Sequence, residues 1–252
     1  MLSIRSVDKR FSLDGPLVLD RVNMEVRNGE FVSLLGPSGC GKTTLLKIVA
    51  GLLPATGGGV YLEGEESTEP SREKAMVFQH FNLLPWRTAI NNVAYGLEVQ
   101  GVAKAERLET AARFLKLLDL DGYEDHYPSQ ISGGMKQRVG LARALATEPR
   151  LMLMDEPFGA LDALTREYLQ DELARIAASQ DLTVLFVTHS IDEAIYLSDR
   201  IVVMGNNPGR ILVEYPVPFE RPRVSTVVRA DPRFAELRNQ VWVLLEEEKS
   251  GR

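Results

Sequence analysis

The sequence predicts an α/β fold with a mainly parallel sheet interrupted by a helical subdomain. Three observations carry this prediction. A compact apolar strand, EFVSLLG, runs straight into a glycine loop and then into a helix. From residue 151 to residue 205, apolar strands alternate with helical stretches, the order that lays down a parallel sheet. Between these regions, about residues 82–147 lose the strand pattern and place apolar side chains at helical spacing.

Taken in order, the first sixty residues read as short strands. LSIRSV, VLDRVNMEV and GVYLEG alternate or are β-branched, and Gly15-Pro16 and Asn28-Gly29 supply turns. After the glycine loop, TTLLKIVAGLL continues as a helix that Gly51 and Pro54 close. In KAERLETAARFLKLLDL the positions Leu108, Ala111, Ala112, Leu115 and Leu118 share one helical face. Glu148-Pro149 ends the insert. RLMLMDE then reads as a buried strand, followed by a long helix from Leu161 to about Ser179 and the strand LTVLFVTH. A short helix, SIDEAIYLS, and the strand RIVVMG complete an expected first unit over 1–205. Residues 206–252 form an expected extension packed on or beside it: a turn at NNPGR, one strand, a proline-rich connector and a helix. Phe234, Leu237, Val241 and Leu244 form one face of that helix, most simply a packing face.

Composition excludes several classes. With 252 residues, 44% apolar and 25% charged, the chain can bury a substantial core. A net charge of -6 gives no electrostatic footprint for nucleic acid. No apolar run approaches the roughly eighteen residues of a membrane span. The start, MLSIRSVDKRF, lacks an apolar stretch, so no secretory signal is expected. A single cysteine, Cys40, permits no internal disulfide and suits a reducing compartment. His80, His126 and His189 are scattered without ligand spacing, so any metal is expected to arrive with a substrate.

The chemistry concentrates in a few short stretches. GPSGCGKT (Gly36, Pro37, Ser38, Gly39, Cys40, Gly41, Lys42, Thr43), followed by Thr44, matches the phosphate-binding pattern GxxxxGK[ST]. By composition that pattern arises by chance in about one chain per hundred of this length. The N–H groups of Gly39, Cys40, Gly41 and Lys42 are expected to cradle phosphates, Lys42 to reach the β and γ oxygens, and Thr43 to offer its hydroxyl to Mg²⁺. LMLMDEP delivers Asp155 and Glu156 to a strand's C-terminal edge, where open α/β sheets place ligands. Asp155 suits Mg²⁺ and Glu156 suits a general base; by itself, such a pair also suits a helix N-cap. His189 ends the next strand, where it can reach a γ-phosphate or an attacking water, although a strand-end histidine is often only structural. SQISGGMKQR places Ser132, Gly133 and Gly134 before a helix, a second place fit for phosphate.

Together these residues resemble the ATP-binding cassette family across about the first 205 positions. The ordered set comprises GPSGCGKT, Gln79, ISGGM, LMLMDE, GALD and His189. The resemblance implies a P-loop NTPase core with an N-terminal antiparallel β subdomain and an inserted α-helical subdomain. It implies ATP hydrolysis with Mg²⁺, in a homodimer packed head to tail. Ser132, Gly133 and Gly134 of one copy then clamp the γ-phosphate on the other copy's loop. Phe11, about twenty-five residues before the loop, resembles the aromatic that stacks on adenine. Gln79 resembles the residue that senses Mg²⁺ and the attacking water, and Asp162 the one that crosses the seam. Met135, Ile131 and Gly159 depart from the commoner glutamine, leucine and serine.

Among ATP-binding cassettes, this sequence best resembles a separate subunit of an importer. There is no fused membrane domain, no long coiled coil in the roughly ninety residues from Lys42 to Ser132, and no second cassette. FNLLPWRTAINNVAYG offers Phe81, Leu84, Trp86 and Tyr95 either as anchors for a permease helix or as core. LLPWRTAINNV, SGGM, PGR and ERPR resemble the nitrate, sulfonate and taurine branch. The resemblance implies permease subunits as partners, indirectly a solute-binding protein, no nucleic acid, and a peripheral place on the cytoplasmic face of the cell membrane. The alternatives are a soluble ATPase switch acting on protein or nucleic-acid partners, or a cassette for another small solute such as a thiamine-precursor pyrimidine.

Overall fold

The structure is a computed structural model that describes residues 1–79, 82–159 and 161–250, with side chains to residue 248. The chain starts with β1 (Leu2–Lys9), β2 (Leu19–Val26) and β3 (Phe31–Leu35), then α1 (Lys42–Val49). β4 (Gly57–Leu62), β5 (Glu65–Glu66) and β6 (Lys74–Val77) follow. Next come α2 (Ala89–Val93), α3 (Tyr95–Val99), α4 (Lys104–Leu117) and α5 (Gly133–Leu145). The second half holds β7 (Leu151–Asp155), α6 (Ala163–Ser179), β8 (Thr183–Val187), α7 (Ile191–Leu197) and β9 (Arg200–Gly205). β10 (Arg210–Pro216), α8 (Ser225–Ala230) and α9 (Pro232–Ser250) end it.

These strands form two sheets, and the fold is the expected mixed α/β type. An antiparallel sheet runs β2-β1-β4-β5. The second sheet runs β10-β9-β3-β8-β7-β6 and is parallel except for β10 at its edge. The apolar runs of β3, β7 and β8 are explained by burial on both faces. Val32, Leu34, Leu151, Leu153, Leu185 and Val187 point into the core beneath the antiparallel sheet, together with Leu45 and Leu46 of α1. Phe31, Leu35, Met152, Met154, Val184 and Phe186 point into the opposite core, which the helices close.

Four points differ from the sequence expectation. Residues 74–77, which carry no strand signal, form β6 and pair in parallel with β7. In α4, Ala111 and Leu115 are buried but so is Phe114, while Leu108 lies only at the margin of the core. The long helix begins at Ala163 rather than Leu161, because Asp162 caps it by accepting the Thr165 N–H at 3.0 Å. In α9, Phe234, Leu237 and Val241 are buried in the helix-side core and Leu244 packs against it. α8 had no sequence signal.

Candidate functional site

The parallel sheet brings the C-terminal ends of β3, β7 and β8 side by side, and each ends in residues singled out above. After β3 the chain turns through Gly39 (φ 85) and Gly41 (φ 97), a conformation that glycine adopts without steric cost. No side chain caps α1. Its first backbone bond runs from Leu45 N–H to the Gly41 carbonyl, so the N–H groups of Lys42, Thr43 and Thr44 have no acceptor within the helix. A Cβ placed on Gly39 would meet nothing within 4 Å, so the loop opens outward. Pro37 and Cys40 are buried and Ser38 is exposed.

The loop differs in one respect from the expected cradle. The Cys40 N–H bonds the Pro37 carbonyl at 3.3 Å, and the buried Cys40 side chain turns inward, so that a Cβ on Gly36 would lie 2.7 Å from its Sγ. Burial pushes the Cys40 thiol above its ordinary range, so this is a packing residue rather than a nucleophile. Lys42 is buried, and its ammonium donates to the carbonyls of Gly36 (2.7 Å) and Pro37 (2.9 Å). An anion that enters the loop meets a cation already held there by neutral acceptors.

Asp155 ends β7 and is buried. Its Oδ1 accepts from Thr43 Oγ1 at 2.9 Å. Burial raises its carboxyl above the usual carboxylate range, against the pull of the Thr43 bond. A hydroxyl and a carboxylate held together supply the hard oxygen donors that Mg²⁺ takes, and a divalent cation would offset the cost of the buried charge. These residues fit the ion.

Glu156 follows with φ 46, left-handed backbone that costs about 1–3 kcal/mol in a residue other than glycine. Such strain is held where the surrounding structure fixes it, here by Glu156 N–H on the Val187 carbonyl at 2.9 Å. The carboxylate Oε2 lies 3.1 Å from His189 Nδ1 at the end of β8. Gln79, exposed just beyond β6, joins them: a Cβ on Gly159 would lie 3.9 Å from both Gln79 Nε2 and Glu156 Oε2. Lys42, Thr43, Asp155, Glu156, His189 and Gln79 thus gather along one sheet edge.

The remaining candidates lie elsewhere. Ser132 caps α5, its Oγ accepting the Met135 N–H at 3.3 Å. Gly133 faces open space, and a Cβ on Gly134 would meet Thr165 Cγ2 at 2.6 Å. Asp162 is exposed, and the Thr165 N–H holds its carboxyl below the ordinary range. Phe11 is 66% exposed, with the Lys9 ammonium 5.3 Å from its ring centre. Trp86 is 71% exposed while Leu84 is half-buried, and Phe81 lies outside the described residues.

A profile of the ABC transporter family matches residues 19–159. The chain belongs to the ABC transporter family. An ABC transporter ATP-binding protein of Methanocaldococcus jannaschii is 49% identical over 249 residues, covering 98% of this chain and 92% of the relative. The taurine import ATP-binding protein TauB of Escherichia coli K12 is 44% identical over 231 residues, 90% of this chain and 91% of its own length. A dimeric solved structure of a post-hydrolysis state of an ATP-binding cassette, bound to ADP and Pi, superposes with a TM-score of 0.77 at 33% identity. It covers 87% of this chain and 100% of its own. The chain is therefore an ABC-type, ATP-binding ATPase.

Some of what shapes this cassette's site had no sequence signal. Gly209, in the turn before β10, packs against the phosphate loop: a Cβ there would lie 2.1 Å from the Cys40 carbonyl and 2.9 Å from that of Val18. The close approach requires glycine. A cleft of about 520 Å³ beside Ser38 and His189 is walled by Trp242 and Arg238 of α9, so the C-terminal extension borders the loop. Arg166 also lines it. A larger cavity, about 710 Å³, lies elsewhere, around Phe114, Glu148 and Leu182. Among the described residues no helix is long and apolar enough to cross a membrane.

Proposed function

We propose that this cassette energises the import of a small solute as a head-to-tail homodimer. Each ATP lies between the phosphate loop of one copy and Ser132, Gly133 and Gly134 of the other. The observation that carries the reading is the division of the site. The phosphate loop, Asp155, Glu156 and His189 converge on one edge, while Ser132 opens the 13-residue α5 on an exposed surface. A helix N-terminus of this kind binds anions. The relative structure described above is itself dimeric.

In this reading Lys42 exchanges the Gly36 and Pro37 carbonyls for β- and γ-phosphate oxygens. Glu156 accepts a proton from the attacking water as that water's oxygen bonds the γ-phosphorus and the bond to ADP breaks. His189, beside Glu156, orients the carboxylate and the γ-phosphate. Thr43, Asp155 and Gln79 hold Mg²⁺, which when bound neutralises charge on the phosphate oxygens. Phe11 offers its ring face to adenine. Asp162 crosses to the partner's phosphate loop.

Permease subunits dock beside Gln79. Asn92 supports this by making the Leu84–Thr88 turn rigid. Fully buried, it accepts the Leu84 N–H at 2.8 Å and donates to the carbonyls of Leu84, Arg87 and Thr88. Trp86 is presented on that turn, and the Arg87 guanidinium stacks on Tyr95 at 4.8 Å. The taurine import relatives, at 44–45% identity, favour a taurine-type or related sulfonate or nitrate solute, delivered by a separate binding protein. The cassette then sits peripherally on the cytoplasmic face of the membrane.

The test is Glu156→Gln. Turnover should fall by about 10²–10⁴-fold, the usual contribution of a general base. ATP should still bind and leave a long-lived dimer in gel filtration. Rapid turnover by the variant would remove Glu156 from the role of base.

A further inference from the structure

Behind the strand end that carries His189 lies a buried polar cluster for which hydrolysis, as described above, has no use. Glu193 of α7 is 7% exposed. Its Oε2 accepts from Thr188 Oγ1 at 2.5 Å, and its Oε1 accepts from Gln170 Nε2 at 3.1 Å. Arg166 Nε stands 4.0 Å from the same Oε1. Burial pushes the Glu193 carboxyl above its ordinary range, against these polar neighbours. Packing alone does not explain an acid here, because an apolar side chain of similar volume would avoid the desolvation cost.

The partners of Glu193 lead to two places. Thr188 precedes His189, and its hydroxyl also accepts the Ser190 N–H at 3.0 Å, so the backbone on both sides of the histidine is tied to the carboxylate. Arg166 donates through Nη2 to the Leu161 carbonyl at 2.8 Å, one residue before Asp162. Its Nε is buried and makes no hydrogen bond, which leaves the Glu193 charge as its nearest compensation. Gln170 in turn accepts from Arg229 Nη2 of α8 at 3.3 Å, extending the chain of contacts into the C-terminal extension.

We propose that Glu193 is a positioning residue that holds the His189 strand end and the Leu161–Asp162 turn in one fixed geometry. It acts through Thr188 on the histidine of its own phosphate site and through Arg166 on the turn that serves the partner's. The proposal rests on the reading that His189 takes part in hydrolysis. It explains why a carboxylate, rather than an apolar residue, fills the core between α6, α7 and β8.

The test is steady-state ATPase kinetics on the full chain. Glu193→Gln keeps the shape and one acceptor oxygen, but it turns the other acceptor into a donor and removes the charge facing Arg166. It should lower kcat about 10-fold with KM for ATP within about 2-fold, the pattern of an interaction expressed in the transition state. In a His189→Ala background, the same substitution should change the residual single-turnover rate by less than about 2-fold, because residues acting as a unit are not additive. Thr188→Val should reproduce the kcat loss and Thr188→Ser should restore it, which keeps the test informative if Glu193→Gln folds poorly. An unchanged kcat in Glu193→Gln and Thr188→Val, or an equal loss with and without His189, overturns the proposal. If His189→Ala hydrolyses at the wild-type rate, the role of the histidine fails first, and the proposal falls with it.

Discussion

The phosphate loop and the turn before α5 are built from similar parts: glycines at the start of a helix with N–H groups facing outward. Their surroundings differ. Around the loop the sheet gathers Lys42 with Asp155, Glu156 and His189, which follow it by more than a hundred residues. At the other turn Ser132 caps its own helix and Gly133 faces open space. In the proposed reading, the same geometry is equipped for chemistry in one place and left as a bare docking point in the other. The comparison teaches that similar helix N-termini differ in what surrounds them: strand ends bring titratable groups to the phosphate loop, and none of Asp155, Glu156 or His189 to the turn before α5.

The sharpest way to break the comparison is to disable each half separately. Lys42→Ala removes the cation of the phosphate loop and should weaken nucleotide binding to the isolated chain by about 10²-fold, consistent with a buried charge-assisted contact worth about 1.5–3 kcal/mol. Ser132→Arg should leave that binding intact, measured by titration calorimetry, and yet lower hydrolysis by a similar factor. If the two variants lost nucleotide binding equally, both turns would belong to one site within a single copy.

Asp155→Asn separates function from stability within the equipped half. Burial raises the Asp155 carboxyl, so between the ordinary carboxylate value and the raised one the folded chain binds more protons than the unfolded chain. Its contribution to stability therefore falls as pH rises through that window, and the destabilisation is fully present above it. Removing the charge should raise the nucleotide-free Tm at pH 7. That gain should shrink on acidification below the ordinary carboxylate range, and added Mg²⁺ with nucleotide should no longer stabilise the variant. An unchanged Tm with intact Mg²⁺ dependence would remove Asp155 from the ion site.

Two further variants test the border of the loop and the turn that carries Trp86. Gly209→Ala forces a Cβ against the Cys40 carbonyl. Such overpacking costs about 1–3 kcal/mol, read as a drop in Tm and weaker nucleotide binding. Trp86→Ala, at an exposed position, should change stability by less than about 0.5 kcal/mol and spare basal hydrolysis. Assembly with permease should weaken; unchanged assembly would make Trp86 an ordinary surface residue.

What the sequence made legible was local. Each strand-end motif is read from a few consecutive residues, because the period of a buried strand and the conformational demands of Gly39 and Gly41 are written there. β6 was illegible because it is four residues long, with Lys74, Ala75 and Met76 only half-buried and Lys74 drawn out of the pattern by its bonds to Val49, Ser67 and Glu69. The space beside Gly36 is closed by Cys40 Sγ and the distant Met204 carbonyl, and the need for glycine at 209 depends on the loop it touches. The link from Glu193 to Thr188 and Arg166 could be sensed only as one of two adjacent acids, Asp192 and Glu193, in the otherwise apolar helix IDEAIYL. Contacts across the fold, rather than propensity, decide these features.

The most direct measurement is the ATPase rate per chain as a function of protein concentration, for the wild type and for Ser132→Arg. A site shared between two copies predicts that the wild-type rate per chain rises with concentration to a plateau, while the Ser132→Arg rate stays near background throughout. A wild-type rate that held constant on dilution, matched by Ser132→Arg, would contradict the account.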